Sequence, residues 1–159
     1  MRRNLSIELL EENGYVSIYS PKFENEDCTE FEKFLIQYKD SHPDDLAVIV
    51  KRIALIQENG IADRHFRYEG RKSDRVVALP SHLDSAKLRL YCLPLNTNIL
   101  VLGNGGLKTT RTYNEDPILS QHVQILQRID IEIKRRQKYE IITVDGCFLE
   151  GALEFYIEY

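Results

Sequence analysis

The chain has 159 residues, of which 43% are hydrophobic, and a net charge of −4. This length suits one globular domain that buries roughly two-thirds of its unfolded surface. The sequence lacks an apolar run of the roughly 18–20 residues that a membrane span needs, and its first residues lack the apolar block of a signal peptide, so we expect a cytoplasmic protein without a membrane partner.

The charge is distributed unevenly along the chain. Residues 1–60 carry 7 basic and 12 acidic side chains, residues 61–112 carry 9 and 4, and residues 113–159 carry 5 and 9. Because anion binding depends on the local field, the basic middle segment is the candidate for contact with a polyanion. The alternative is that its charges only solvate the edge of a sheet.

The N-terminal residues predict a β-hairpin. Residues 6–10 and 15–19 resemble strands, and Asn13-Gly14 between them favours a hairpin turn because both residues tolerate positive φ.

Two helices are expected after the hairpin. Thr29 and Glu32 have the spacing of a capping box, in which each side chain satisfies a free amide at the helix start. Pro43 ends this first helix, and a second helix runs over about 44–58, with Gly60 at its end. Together they predict a helix hairpin.

The most informative stretch is residues 87–113, KLRLYCLPLNTNILVLGNGGLKTTRTY. Two strand-like runs, separated by turn residues, predict an antiparallel pair. In the first run, alternation places Arg89 and Tyr91 on a polar face opposite an apolar one. The second run, 99–102, is apolar on both faces and predicts an interior strand. The glycines at 103–106 are expected to break that strand and to allow positive φ.

The remaining elements are a strand at 75–80, a long helix and a C-terminal β segment. Asp116-Pro117 is a helix-start signal, with aspartate as the cap and proline in the first turn, and the helix extends to about residue 138. Strands are expected at 140–144 and 152–159, around Asp145-Gly146.

Basic and aromatic side chains in the middle segment are candidates for phosphate and base contact. Arg89, Lys108 and Arg111 could hold a phosphate, and the alternative is that they form salt bridges to Glu115 or Asp116. Tyr91 on a polar strand face could stack on a nucleobase, and the alternative is that it covers the sheet.

The polar segments that flank the strands add further candidates. Arg67 and Arg71 are candidates for phosphate contact. His65 and His82 lie in these segments, and a histidine near an anion site could move protons.

Nucleotide-hydrolase and metal chemistry have little support. A phosphate-binding loop has glycine directly before its lysine, whereas Leu107 precedes Lys108. The histidines lack partners at i+4, and Cys28, Cys92 and Cys147 are widely spaced, so neither a zinc site nor a disulfide framework is expected. We expect no metal and no cofactor.

The order of these elements, together with the run LRLYCL and the segment ILVLGNGGLKTTRTYNEDP before a helix, resembles the RelE/ParE superfamily of bacterial toxins from type II toxin–antitoxin systems, in particular its phage-related, HigB-like branch. The resemblance covers roughly residues 6–138, and its motif lies in 88–117. It implies an α+β fold: a concave, mainly antiparallel sheet with an N-terminal helix hairpin and a C-terminal helix. Residues 1–159 would form a single domain, in which 139–159 add an extra C-terminal β segment.

The resemblance also implies a function. Toxins of this branch cleave mRNA on the ribosome, independently of metal, by attack of a ribose 2′-hydroxyl. Arg89 and Lys108 would bind phosphate, Arg111 would stabilise the transition state, Tyr113 would stack or transfer a proton, and His82 would join the catalytic group. The implied partners are mRNA and a cognate antitoxin with a helix-turn-helix.

The alternative is a RelE-fold module without catalytic activity that binds a protein, or a ParE-like inhibitor of a protein target. The acidic ends of the chain and its C-terminal tail favour this alternative.

Overall fold

The computed structural model describes residues 1–68, 74–84 and 86–159. Within these ranges, none of the helices combines the length and the apolar character that crossing a bilayer requires. The helices and strands are, in chain order, β1 (Arg2–Glu12), β2 (Ser17–Phe23), α1 (Glu30–Tyr38), α2 (Pro43–Asn59), β3 (Val77–Leu79), β4 (Leu88–Pro94), β5 (Ile99–Leu107), α3 (Pro117–Lys138), β6 (Ile142–Asp145), β7 (Phe148–Gly151) and β8 (Glu154–Glu158). Single 3-10 turns lie at Asp63–His65 and Tyr113–Glu115.

Six strands form a mixed sheet in the order β3-β4-β5-β2-β1-β8, and β6 and β7 form a separate hairpin. β2 and β5 run parallel, and the other neighbouring strands run antiparallel. The apolar side chains of α1 and α2 pack on one face of this sheet, and those of α3 pack on the other. The predicted α+β class and the mainly antiparallel sheet are therefore confirmed.

The local signals at the N-terminus also hold. β1 and β2 pair antiparallel around the Asn13-Gly14 turn, in which Gly14 has φ of 80°. Thr29 and Glu32 form the capping box at the start of α1. The hydroxyl of Ser20 donates to the carbonyl of Leu102 at 2.7 Å and accepts from the amide of Phe31 at 3.1 Å, so a buried serine fixes the start of α1 against two strands.

The prediction of a polar face on β4 was wrong. Arg89 is 8% exposed and Tyr91 is 1% exposed. Tyr91 belongs to the same apolar cluster as residues of α3, whereas Leu88 and Leu90 belong to the cluster under α1 and α2. Both faces of the strand are covered because the sheet is the middle layer of three.

The predicted break at residues 103–106 was also wrong, because β5 continues through Leu107 and its glycines do not have positive φ. Their role is close packing. A Cβ at Gly105 would lie 1.8 Å from the carbonyl oxygen of Arg89, and one at Gly103 would lie 2.8 Å from Leu126 Cδ1 on α3. The missing side chains let β4 and α3 approach the strand.

The C-terminal strands pair differently from the expectation. β6 pairs with β7, a strand that the sequence pattern did not indicate, and Gly146 lies in their turn. β8 instead pairs antiparallel with β1. Part of the segment 139–159 thus supplies the last strand of the central sheet.

Candidate nucleic-acid interface

Strand register places several basic residues at one end of the sheet. Leu79 of β3 pairs with Leu90 of β4, and Leu88 pairs with Leu107 of β5. The end of β3, the start of β4 and the end of β5 are therefore adjacent. We call this region the basic end and define it by the residues that it carries: His82, Lys87, Arg89, Lys108 and Arg111.

The backbone joins two members of the basic end directly. The amide of Lys108 donates to the carbonyl of Lys87 at 2.9 Å, which extends the β4–β5 ladder past both strands. Lys87 and His82 are exposed, and Lys108 is half-buried. Arg111 is exposed and lies in the connection from β5 to the Tyr113–Glu115 turn. Residues that are far apart in sequence thus contribute to one region.

The side chain of Arg89 is buried beneath the basic end. Its Nη1 donates to the carbonyl of Ala86 at 2.6 Å and to that of Leu88 at 3.0 Å. A guanidinium that binds carbonyls stabilises the chain at the start of β4 and keeps a positive charge beneath the surface. Its geometry supports a positioning role rather than the surface phosphate contact that was predicted.

Arg67 is anchored nearby. Its backbone forms an isolated antiparallel bridge with Ala78 of β3, and its Nη2 donates to the carbonyl of Ser81 at 3.3 Å. This contact brings the guanidinium to the loop that carries His82. Arg71, the other predicted arginine of this segment, lies outside the described residues.

Two carboxylates also lie at the basic end. Oδ2 of Asp45 accepts the amide of Lys87 at 2.8 Å. Oδ2 of Asp84 accepts Nε and Nη2 of Arg52 at 3.1 and 2.7 Å. Both carboxylates order the loop before β4, and they reduce the positive field that the lysines produce.

The two predicted tyrosines meet each other in the interior. Tyr91 and Tyr113 pack edge to face, with ring centroids 6.2 Å apart. Tyr113 is 7% exposed. For Tyr91, the structure matches the alternative of a tyrosine that covers the sheet rather than one that stacks on a base. Tyr113 joins the start of α3 to the core.

His65 is likewise internal. It is 2% exposed, and neither ring nitrogen has a hydrogen-bond partner among the described residues. Burial and the positive charges of Arg64 and Arg52 lower its pKa, against a smaller opposite effect of the Gly60 backbone. Burial therefore favours the neutral form of His65 and keeps its ring away from the surface.

Lys87 is the surface cation that sequence reasoning missed. It is exposed, and its carbonyl pairs with the amide of Lys108. Its position directly before β4 could have identified it. Antiparallel pairing of β4 and β5 places the residue before β4 opposite the residue that follows β5.

A groove lies away from the basic end. This groove, of about 610 Å³, runs along β2, β1 and β8, and its charged lining residues are Glu8, Lys22, Glu24, Glu26, Arg136 and Glu154. Acidic side chains predominate, and the candidate RNA-binding residues do not line the groove. The groove and the basic end are therefore separate surfaces.

The described part of the chain contains no group of three or more His, Cys, Asp or Glu side chains arranged to hold a metal ion. Comparison of the sequence with protein-family models and with curated proteins, and of the fold with solved structures, finds no match.

Proposed function

We propose that the chain is a toxin-like endoribonuclease of the RelE/ParE type, of the HigB-like branch, that docks RNA at the basic end. The observation that supports this proposal is the adjacency of Lys87 and Lys108 through the pairing of β4 and β5, with His82 in the connection that follows β3 and Arg111 in the connection that follows β5. A phosphodiester needs such a group of cations, because its charge grows as the phosphorus becomes five-coordinate.

The proposed reaction is an intramolecular transesterification of RNA. The 2′-oxygen attacks the adjacent phosphorus, the bond to the 5′-oxygen breaks, and a 2′,3′-cyclic phosphate and a 5′-hydroxyl form. One base takes the 2′-hydroxyl proton and one acid protonates the leaving oxygen. His82 is assigned to one of these two proton transfers, Lys108 and Arg111 to the phosphate, and Lys87 to the neighbouring backbone.

The proposed partners follow from this assignment. The substrate is mRNA, on the ribosome in the form that the family resemblance implies, and the regulator is a small antitoxin with a helix-turn-helix. The compartment is the cytoplasm, where both are present.

Induced expression in bacteria tests the proposal. The wild type is expected to arrest growth and to leave mRNA with new 5′ ends, mapped by sequencing. Lys108→Ala plus Arg111→Ala is expected to restore growth. The matched control is Arg128→Ala plus Lys138→Ala, which removes the same charge from α3 and should still arrest growth. Unchanged growth and intact RNA with the wild type would contradict the proposal.

A second candidate is a protein-binding module without catalytic activity. It is favoured by the burial of Arg89 and Tyr91 and by the carboxylates of Asp45 and Asp84 beside the lysines. Under this candidate, the expressed chain is harmless, and affinity purification recovers a stable protein complex that ribonuclease treatment does not disrupt.

A further inference from the structure

In the part of the chain that the structure describes, one face of β1 and β8 is not covered by the apolar side chains of a helix. The apolar side chains of α1 and α2 pack with those of β2, β4 and β5, whereas the buried apolar side chains of β1 and β8 cluster with those of α3 on the opposite face. On the uncovered face, strand pairing sets Glu154 beside Ser6 and Tyr156 beside Asn4. These side chains are exposed, apart from Ser6, which is half-buried. They form the floor of the acidic groove.

β8 is also an edge strand, and its backbone has an unpaired side within the described chain. The amide of Tyr159 donates to the carbonyl of Met1 at 3.0 Å, and the amide of Ile7 donates to the carbonyl of Leu153 at 2.9 Å. Because bonding direction alternates along an antiparallel strand, residues 155 and 157 point their backbone groups toward β1. Residues 154, 156 and 158 therefore direct theirs outward.

The outward residues carry negative charge and one aromatic ring. Glu154, Tyr156 and Glu158 are exposed, whereas Phe155 and Ile157 are buried against α3. The guanidinium of Arg2 lies 3.7 Å above the ring of Tyr156. An open backbone edge and acidic side chains thus coincide on the same three residues.

Further along the groove, Glu8 and Glu24 add negative charge. Glu24 accepts from Asn4 at 2.9 Å, and Glu8 accepts from the hydroxyl of Ser6 at 2.8 Å. Hydrogen bonds to neutral groups orient these carboxylates. Two cations lie on the same rows of the sheet: Lys22, which pairs with Ser6, and Arg2, which pairs with Glu158. The four carboxylates of Glu8, Glu24, Glu154 and Glu158 outnumber them.

We propose that β8 accepts an extended, basic segment of a protein partner as a seventh strand. Main-chain hydrogen bonds to residues 154, 156 and 158 would supply affinity, and alternate Lys or Arg side chains would face Glu154 and Glu158. This inference goes beyond the proposed function and holds whether or not RNA is cut.

The carboxylates of Glu154 and Glu158 disfavour two other ligands of the β8 edge, a second copy of the chain and a nucleic acid. A second copy, paired antiparallel through β8 about Tyr156, would place Glu154 of one chain opposite Glu158 of the other, and like charges directly opposite are destabilising. A nucleic acid would be repelled by the same carboxylates. A basic polypeptide is the occupant that the surface complements.

The probe is the capped peptide Lys-Thr-Lys-Val-Lys-Thr-Lys, with a peptide that has Glu in place of each Lys as the control. Binding is measured by calorimetry at low ionic strength, and amide exchange by NMR. We expect the basic peptide to bind and to slow exchange at residues 154, 156 and 158, whose amides exchange rapidly in the free chain. The acidic peptide should not bind.

Variants separate the two parts of the recognition. Glu154→Gln plus Glu158→Gln should weaken binding roughly fivefold, an effect that salt removes. Tyr156→Pro removes an outward amide without removing a bond to β1, and should weaken binding about tenfold. Glu58→Gln plus Glu115→Gln, on other surfaces, should leave affinity unchanged.

Three results would overturn the inference: the basic peptide fails to bind, all variants bind it equally, or protection appears away from β8. Retained protection at residues 155 and 157 verifies that each variant is folded. If the proline variant does not fold, the exchange pattern of the wild type and the glutamine variants still decide the question.

Discussion

Among the glycines of the described six-stranded sheet, Gly105 lies closest to the backbone of a neighbouring strand. A Cβ there would meet the Arg89 carbonyl oxygen, which is main chain and cannot turn away, whereas a Cβ at Gly103 would meet the end of the flexible Leu126 side chain. We predict that Gly105→Ala lowers the free energy of unfolding by about 3 kcal/mol or more, and Gly103→Ala by about 1–2 kcal/mol. Urea denaturation measures both, and equal losses would refute the close-approach argument.

His122 on α3 gives a prediction for pH. Burial, together with the charge of Lys33, lowers its pKa from 6.5 to about 4, although Asp116 acts in the opposite direction. Because the folded state holds the proton less tightly than the unfolded state, the stabilisation is complete above pH 6.5 and is lost as the pH falls toward 4.

We therefore expect His122→Gln to reduce the loss of stability between about pH 6.5 and pH 4. Thermal unfolding at a series of pH values measures this change relative to the wild type. His65, whose pKa is also lowered, remains in both proteins, so part of the slope should persist. A variant with the same pH profile as the wild type would show that His122 does not titrate in this way.

At the scale of elements, α3 is tied to the sheet by a buried ion pair. Nε of Arg75 donates to Oδ1 of Asp130 at 2.9 Å, and its Nη1 donates to the carbonyl of Leu95 at 3.1 Å. The carboxylate side chain is only 5% exposed, and Lys134 is its second cation, at 3.4 Å. Arg75, one of the basic residues of the middle segment, thus has a structural role.

Arg75→Ala should cost about 2–4 kcal/mol, because it leaves a buried carboxylate with one distant, exposed partner. Adding Asp130→Ala should recover part of that loss, since no uncompensated charge remains. Chemical denaturation of both single variants and the double variant gives the coupling free energy. Strictly additive losses would indicate that the pair is not coupled.

Elements with local signals could be predicted from the sequence. The Asn13-Gly14 turn, the Thr29 capping box and the Asp116 cap each depend on a few neighbouring residues, and each appears where the pattern placed it. The role of Gly105 could not be predicted, because the atom that excludes a side chain there belongs to another strand. β7 was missed because four residues, FLEG, carry too little alternation to be recognised.

At the scale of the whole molecule, the candidate site was partly predictable. Pairing of the two strands in 87–113 follows from the turn between them, and it brings Lys87 beside Lys108. Alternation of polar and apolar residues along a strand does not show whether one or both faces of the sheet are covered by other elements. Arg89 and Tyr91 therefore looked like surface residues, although α3 and the loop before β4 enclose them.

The central claim, that RNA docks at the basic end, is tested most directly by the salt dependence of binding. Affinity for a single-stranded RNA is measured by fluorescence anisotropy over a range of salt concentrations, for the wild type, for Lys108→Ala plus Arg111→Ala, and for the control Arg128→Ala plus Lys138→Ala. Each phosphate contact contributes about 0.7 to the slope of log K against log salt. The site variant should lose about 1.4 from that slope and the control should lose none; identical slopes for all three proteins would contradict the account.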